Sequence, residues 1–188
     1  LALEAGDVDY IQSFFLLKQE VARLRQSANL QVKQDTDLPG VFLLFFNTQR
    51  KPLDDKRVRQ ALALGTNRQQ MLEQAVFGLG SVGKSAIHTG LRWAYNPAVD
   101  YTKLYAYNAG KANALLDQAG YRRGADGTRF KLRLVYNVAQ AGLPAMAEIA
   151  RDNWKALGVE VSVEPVEFQV TLDRVFAKRD YEVTLQPY

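Results

Sequence analysis

The sequence predicts an α/β domain in which strands alternate with crossover helices. Three observations predict it. The last third reads strand, helix, strand, helix, strand over 130–136, 143–157, 159–163, 168–177 and 181–185. Glycines stand where helices should stop, at Gly78, Gly120 and Gly158. The chain of 188 residues, 47% hydrophobic and 23% charged, is long enough to close its own core.

The elements can be justified in order. Leu1 to Ala5 reads as the last turn of a helix closed by Gly6. Val8 to Ile11 is a short strand candidate, and Phe14 to Leu24 carries apolar residues at helical spacing. Leu30 to Gln34 is a further strand candidate. Val41 to Phe46 is apolar throughout, so a buried strand covered on both faces is expected. A helix starts near Asp54 or Asp55, either of which can accept from free N–H groups, and Val58, Ala61, Leu62 and Leu64 form its apolar face. Asn67 caps a second helix, with Gln70 three residues on and Met71, Leu72, Ala75 and Val76 as its buried stripe. From Phe77 to Tyr107 no period is sustained. Connections this long inside compact domains are usually functional or ligand-lining. Asn108 then caps a helix that runs to Gln118 or Ala119.

Composition removes several function classes. The net charge is +4, but basic residues are interleaved with acids, as in Asp54-Asp55-Lys56-Arg57 and Lys178-Arg179-Asp180. Nucleic-acid binders gather theirs on one face, so no nucleic-acid partner is expected. The absence of cysteine removes disulfides, thiolate metal sites and thiol nucleophiles. A single histidine, His88, disfavours a His-rich metal site or a His-based catalytic network. No serine lies in a G-x-S-x-G elbow. Asp54 and Asp55 are better explained as caps. Glu164 and Glu167 flank Pro165 at a strand-to-helix turn, where Glu167 favours the helix start. No apolar run approaches the roughly 20 residues that span a bilayer. The expectation is a protein without catalytic residues, cofactor or metal.

One motif needs separate treatment. Gly78-Leu79-Gly80-Ser81-Val82-Gly83-Lys84-Ser85 spells a phosphate-binding P-loop and would make the chain a nucleotide hydrolase. Such a loop needs a strand before it and a helix after it, because the helix N-terminus supplies the N–H groups that hold phosphate. Here a helix is expected before it, and Gly90 and Asn96-Pro97 soon follow. The stretch is therefore read as a Gly-rich connection. The aromatic residues Trp93, Tyr95, Tyr101, Tyr105 and Tyr107 have two readings, a ligand-facing wall or anchors that pin the long loop to the domain, and the second is the simpler.

Several spaced motifs together resemble a known family. Phe46-Asn47, Lys51-Pro52-Leu53-Asp54-Asp55, Val58-Arg59-Gln60-Ala61-Leu62 and Asn67-Arg68 resemble the most characteristic stretch of the family 5 solute-binding proteins, the peptide- and nickel-binding receptors of ABC importers. Leu53 stands where the family usually has Phe, and Asn67 where it usually has Asp. Leu3 to Asp9, the helix from Asn108 to Tyr121, and Leu157-Gly158-Val159 resemble further family segments in the same order. In that family the Gly78 to Ser85 stretch is a connection after a helix.

The resemblance implies one lobe of a type II periplasmic-binding-protein fold, a mixed central sheet flanked by helices. Residues 1–188 would form a single domain matching most of lobe II, without lobe I, the hinge or the C-terminal continuation. The absent initiator Met and a final strand that stops abruptly agree with a piece of a longer protein. The implied function is capture of a peptide-like, nickel-chelate-like or opine-like solute between two lobes and delivery to a membrane permease. A sensor of the same fold is the alternative. The implied location is periplasmic or extracytoplasmic, tethered as a lipoprotein in a Gram-positive host. Phe168 resembles a cleft Trp of the family, Tyr188 retains a cleft aromatic, and Tyr136-Asn137 resembles a strand end whose loop faces the cleft. Asn137, Phe168 and Tyr188 are thus the expected ligand neighbours. Core packing or a strand-end cap is the simpler role for each.

Overall fold

The computed structural model describes residues 2–12, 16, 18–33 and 40–188. Short helical turns come first: α1 (Ala2–Ala5), a 3-10 turn (Lys18–Glu20) and α2 (Val21–Leu24). Strand β1 (Phe42–Phe46) leads to α3 (Lys56–Leu64) and α4 (Arg68–Gln70), which runs on as a π-helical turn (Met71–Ala75). After α5 (Tyr101–Leu104) and α6 (Ala109–Gln118) comes the α/β part: β2 (Phe130–Asn137), α7 (Leu143–Lys155), β3 (Val159–Val166), α8 (Phe168–Thr171) with its π-helical extension (Leu172–Ala177), and β4 (Val183–Pro187).

Local chemistry sets many of these limits. Asp55 accepts from the Arg57 N–H, Asn67 from the Gln70 N–H and Asn108 from the Lys111 N–H, so three helices start on the side-chain acceptors that the sequence offers. Gly158 ends the α7 turn at φ +80°, where a Cβ would also lie 2.7 Å from the Gly127 carbonyl oxygen. Only glycine fits there.

Among the described residues the sheet has four strands, in the order β1-β4-β2-β3. β2 pairs in parallel with β3 and β4, and β1 runs antiparallel along β4. The main core lies on one face. Leu132, Leu134 and Tyr136 of β2, Val159 and Val161 of β3, and Val183 and Leu185 of β4 pack there with Met146, Ala150 and Trp154 of α7 and Val58, Ala61 and Leu62 of α3. Trp154 is fully buried, and its indole N–H donates to the Leu62 carbonyl at 3.2 Å and the Thr66 hydroxyl at 3.0 Å. Its ring also meets Phe46 at 6.2 Å. Such a ring with a satisfied N–H anchors the α3–α7 contact, and truncation to Ala costs about 3–5 kcal/mol.

The opposite face is thinner and more polar. Val135 and Thr184 are buried there together with Thr171 and Val175 from α8 and its extension. Beside them Arg133 donates to Glu182 at 2.8 Å and to Asp180 at 2.8 Å, while Arg174 donates to Glu164 at 2.7 Å. Burial pushes the Glu182 carboxyl up, but its bonds from Arg133 leave it below the usual range.

Three expectations need correction. Val41 to Phe46 is not covered on both faces. β1 is an edge strand, and Phe42 and Phe45 remain 41% and 37% exposed. Val8 to Ile11 and Leu30 to Lys33 form no strand, since neither finds a partner edge; Gln34 lies outside the described residues, as do Phe14, Phe15 and Leu17 of the expected first helix.

Candidate functional site at the strand ends

Three parallel strands end together. Asn137 closes β2 opposite Val166 of β3, and Tyr136 lies opposite Leu185 of β4. The chain then departs in two directions. After β2 it turns into α7 on the main-core face, and after β3 it turns into α8 on the other. A crevice outside the carboxyl ends of parallel strands, where successive connections part to opposite faces, is the usual ligand position in open α/β sheets.

The structure brings Asn137, Phe168 and Tyr188 to this one edge. Phe168 is the first residue of α8, two beyond the end of β3, and is 59% exposed. Tyr188 follows β4 and is also largely exposed. Its backbone exchanges two 2.8 Å hydrogen bonds with Val41, and its ring stands edge-on to Phe45 at 6.4 Å. Exposed aromatic rings at a strand-end crevice offer apolar area and a π face to a ligand.

Asn137 differs from the two rings. It is buried, and its Oδ1 accepts from the Ala139 N–H at 3.0 Å while its carbonyl accepts from the Gln140 N–H at 3.3 Å. It therefore shapes the loop that leads to α7. The Val138 N–H extends the pairing by donating to the Val166 carbonyl at 3.0 Å, and the Val138 side chain is left exposed beside the crevice. Nothing in the sequence marks Val138, because an isolated valine after a strand carries no signal of its own.

The Gly78 to Ser85 stretch cannot hold phosphate as a P-loop. A helical turn, not a strand, precedes it, and no helix follows before Tyr101. The Ser85 hydroxyl is engaged by its own turn, accepting from the Ile87 N–H and donating to the Ile87 carbonyl. His88 is similarly occupied, its Nδ1 accepting from the Gly90 N–H at 3.0 Å. Tyr101 and Tyr105 pack edge-on at 5.8 Å, and Arg68 holds the Tyr105 carbonyl at 2.7 Å, which pins this part of the loop. Trp93 pins nothing, being 88% exposed.

A second concavity, an open hollow of about 710 Å³, lies near the opposite ends of the strands, lined by Asn113, Asp117, Arg122, Arg123 and Arg129. The guanidinium groups of Arg123 and Arg129 are committed to the fold. Arg129 bonds to the Leu157 and Tyr121 carbonyls, Asp117 and Asn113, and Arg123 bonds to the Ala156 and Gly127 carbonyls. The Tyr121, Ala156 and Leu157 carbonyls lie just beyond the ends of α6 and α7, where cations belong, and Gly127 lies in the turn before β2. The Arg129 guanidinium holds the Asp117 carboxyl below its usual range. The hollow is scaffold.

Comparison with known proteins identifies the family. The model of a family described as bacterial extracellular solute-binding proteins, family 5, matches residues 1–187. The dipeptide-binding protein of Escherichia coli K12 is 31% identical over 159 residues, covering 82% of this chain and 28% of that protein. AgaA of A. tumefaciens R10, solved with agropinic acid, superposes with a TM-score of 0.83 at 26% identity, over 99% of this chain and 35% of its own. The Helicobacter pylori periplasmic binding protein DppA, solved with the peptide STSA, superposes at 0.84 over 100% of this chain and 34% of its own, at 23% identity, and so speaks for the fold. The chain thus spans about a third of the length of the proteins it matches.

Proposed function

The chain belongs to the bacterial extracellular solute-binding proteins of family 5, and on that premise we propose that it is most of lobe II of a two-lobed receptor that supplies an ABC importer. The receptor captures a peptide-like solute, or an opine or nickel chelate, between its lobes and closes about a hinge. The loaded receptor then docks on a membrane permease. It works outside the cytoplasmic membrane, as a lipid-anchored protein in a Gram-positive host, and carries out no chemistry on its cargo.

One observation supports this reading above the others. The exposed aromatic residues Phe168 and Tyr188 stand with Asn137 at the carboxyl ends of the parallel strands, where the connections to α7 and α8 separate. A single lobe presents such an edge as an open wall. A pocket that buries most of a ligand needs the second wall.

The test is calorimetry on the complete receptor and on residues 1–188 alone, with di- and tripeptides, agropinic acid and nickel–histidine as probes. The complete receptor binds one of these classes, and the isolated lobe binds it at least a hundredfold more weakly. Equal affinity for lobe and receptor, or binding of none of the probes, contradicts the proposal.

A further inference from the structure

The segments that converge at the strand-end edge are nearly free of charge. They comprise residues 40–42, 137–142, 166–169 and 186–188, and among them Glu167 is the one ionised side chain in a chain of net charge +4. Glu167 occupies the N-cap position of α8, yet its carboxylate makes no capping hydrogen bond. It is exposed, and among the described residues no ion pair engages it. The other carboxylates beside this sheet behave differently. Glu164 is held by Arg174, and Asp180 and Glu182 are held by Arg133.

We propose that Glu167 and Phe168, adjacent in the chain and both exposed, form a specificity-determining pair that selects a positively charged group on the ligand. The inference rests on the reading of this edge as one wall of the ligand cleft. An ammonium or guanidinium set over the exposed ring face gains from the ring quadrupole, and a carboxylate on the adjoining residue adds charge complementarity. Closure of the second lobe removes water from both contacts and strengthens them. An anionic group in the same place meets a like charge with no cation in these segments to offset it. A carboxylate there only to favour the start of α8 would leave ligand choice untouched.

The experiment uses the complete receptor and three tripeptides, Ala-Lys-Ala, Ala-norleucine-Ala and Ala-Glu-Ala, titrated by calorimetry against wild type, Glu167→Gln and Phe168→Ala. Norleucine keeps the length of the lysine stem without its charge. In the wild type the lysine peptide binds about five- to tenfold tighter than the norleucine peptide, and the glutamate peptide binds weakest. Glu167→Gln reduces the lysine advantage to about twofold or less and leaves norleucine affinity unchanged. Phe168→Ala weakens the lysine and norleucine peptides together. A lysine advantage that survives Glu167→Gln, or a glutamate peptide that binds as well as the lysine peptide, overturns the charge selection while leaving the receptor function standing. Failure of the wild type to bind any of the three, when agropinic acid or nickel–histidine binds, overturns it as a peptide selector. Failure with every probe removes the receptor reading as well.

Discussion

At one end of the parallel strands, Arg123 and Arg129 tie the Gly127, Ala156, Leu157 and Tyr121 carbonyls together, and little of either guanidinium is left over. At the other end Phe168 and Tyr188 stand exposed, and the carboxylate between strand and helix, Glu167, has no ion-pair partner among the described residues. The first end spends its polar groups on the fold. The second leaves its apolar and charged groups exposed, as the proposed ligand wall requires. A large concavity is therefore a poor guide to function here: the 710 Å³ hollow lies at the end where Arg123, Arg129 and Asp117 are already bonded within the fold.

The contrast can be broken most forcefully at Arg129. Arg129→Ala leaves carbonyls of the 121 and 157 turns without donors and frees Asp117, and it lowers stability in urea by about 2–3 kcal/mol. Ligand affinity of the complete receptor stays within twofold of wild type. A large affinity loss in a folded Arg129→Ala protein would move the functional end to the hollow. At the opposite edge the effects exchange places. Phe168→Ala changes stability by no more than about 0.5 kcal/mol, because the ring is mostly in solvent, and it weakens ligand binding by roughly tenfold.

Asn137 lies between these extremes. It is buried and bonded to the backbone like a scaffold residue, yet it shapes a loop at the ligand edge. Asn137→Ala lowers stability by about 1 kcal/mol and weakens ligand binding a few-fold through the displaced loop. A loss of stability with no change in affinity would assign it to the scaffold alone.

The smallest effect concerns acid. The side-chain bond from Arg129 lowers the Asp117 carboxyl, and that from Arg133 lowers Asp180. A carboxyl lowered in the folded state contributes stability that is fully present above the unfolded value, near pH 4, and is lost as the pH falls through the folded value. The urea midpoint of the wild type therefore falls between pH 5 and pH 2.5 more steeply than that of Asp117→Asn. Both carboxylates are solvent-exposed, so the difference is modest. Parallel slopes would show that the Arg129–Asp117 pair contributes nothing.

Much of this fold is legible in the sequence. Caps at Asp55, Asn67 and Asn108 are local events between a side chain and a backbone N–H two or three residues away, and they formed as expected. The order of strands and helices after Phe130 followed from period and glycine placement. The neighbour of β1 is not legible, because it is set by pairing across more than a hundred residues. Uniformly apolar Val41–Phe46 is therefore expected inside the sheet, whereas Phe42–Phe46 forms its edge against β4. Asn137, Phe168 and Tyr188 reached one edge on the strength of a family resemblance. Their spacing of 31 and 20 residues along the chain carries no such information until parallel pairing aligns the strand ends. Glu167 was read as a helix-start charge, and only the missing capping bond separates that reading from a free carboxylate.

Hydrogen–deuterium exchange on the complete receptor, with and without a saturating peptide, compares the two ends in one measurement. The account predicts ligand-dependent protection over residues 137–142 and 166–170 and none over 121–129. Protection confined to 121–129, with the strand ends unchanged, would contradict it.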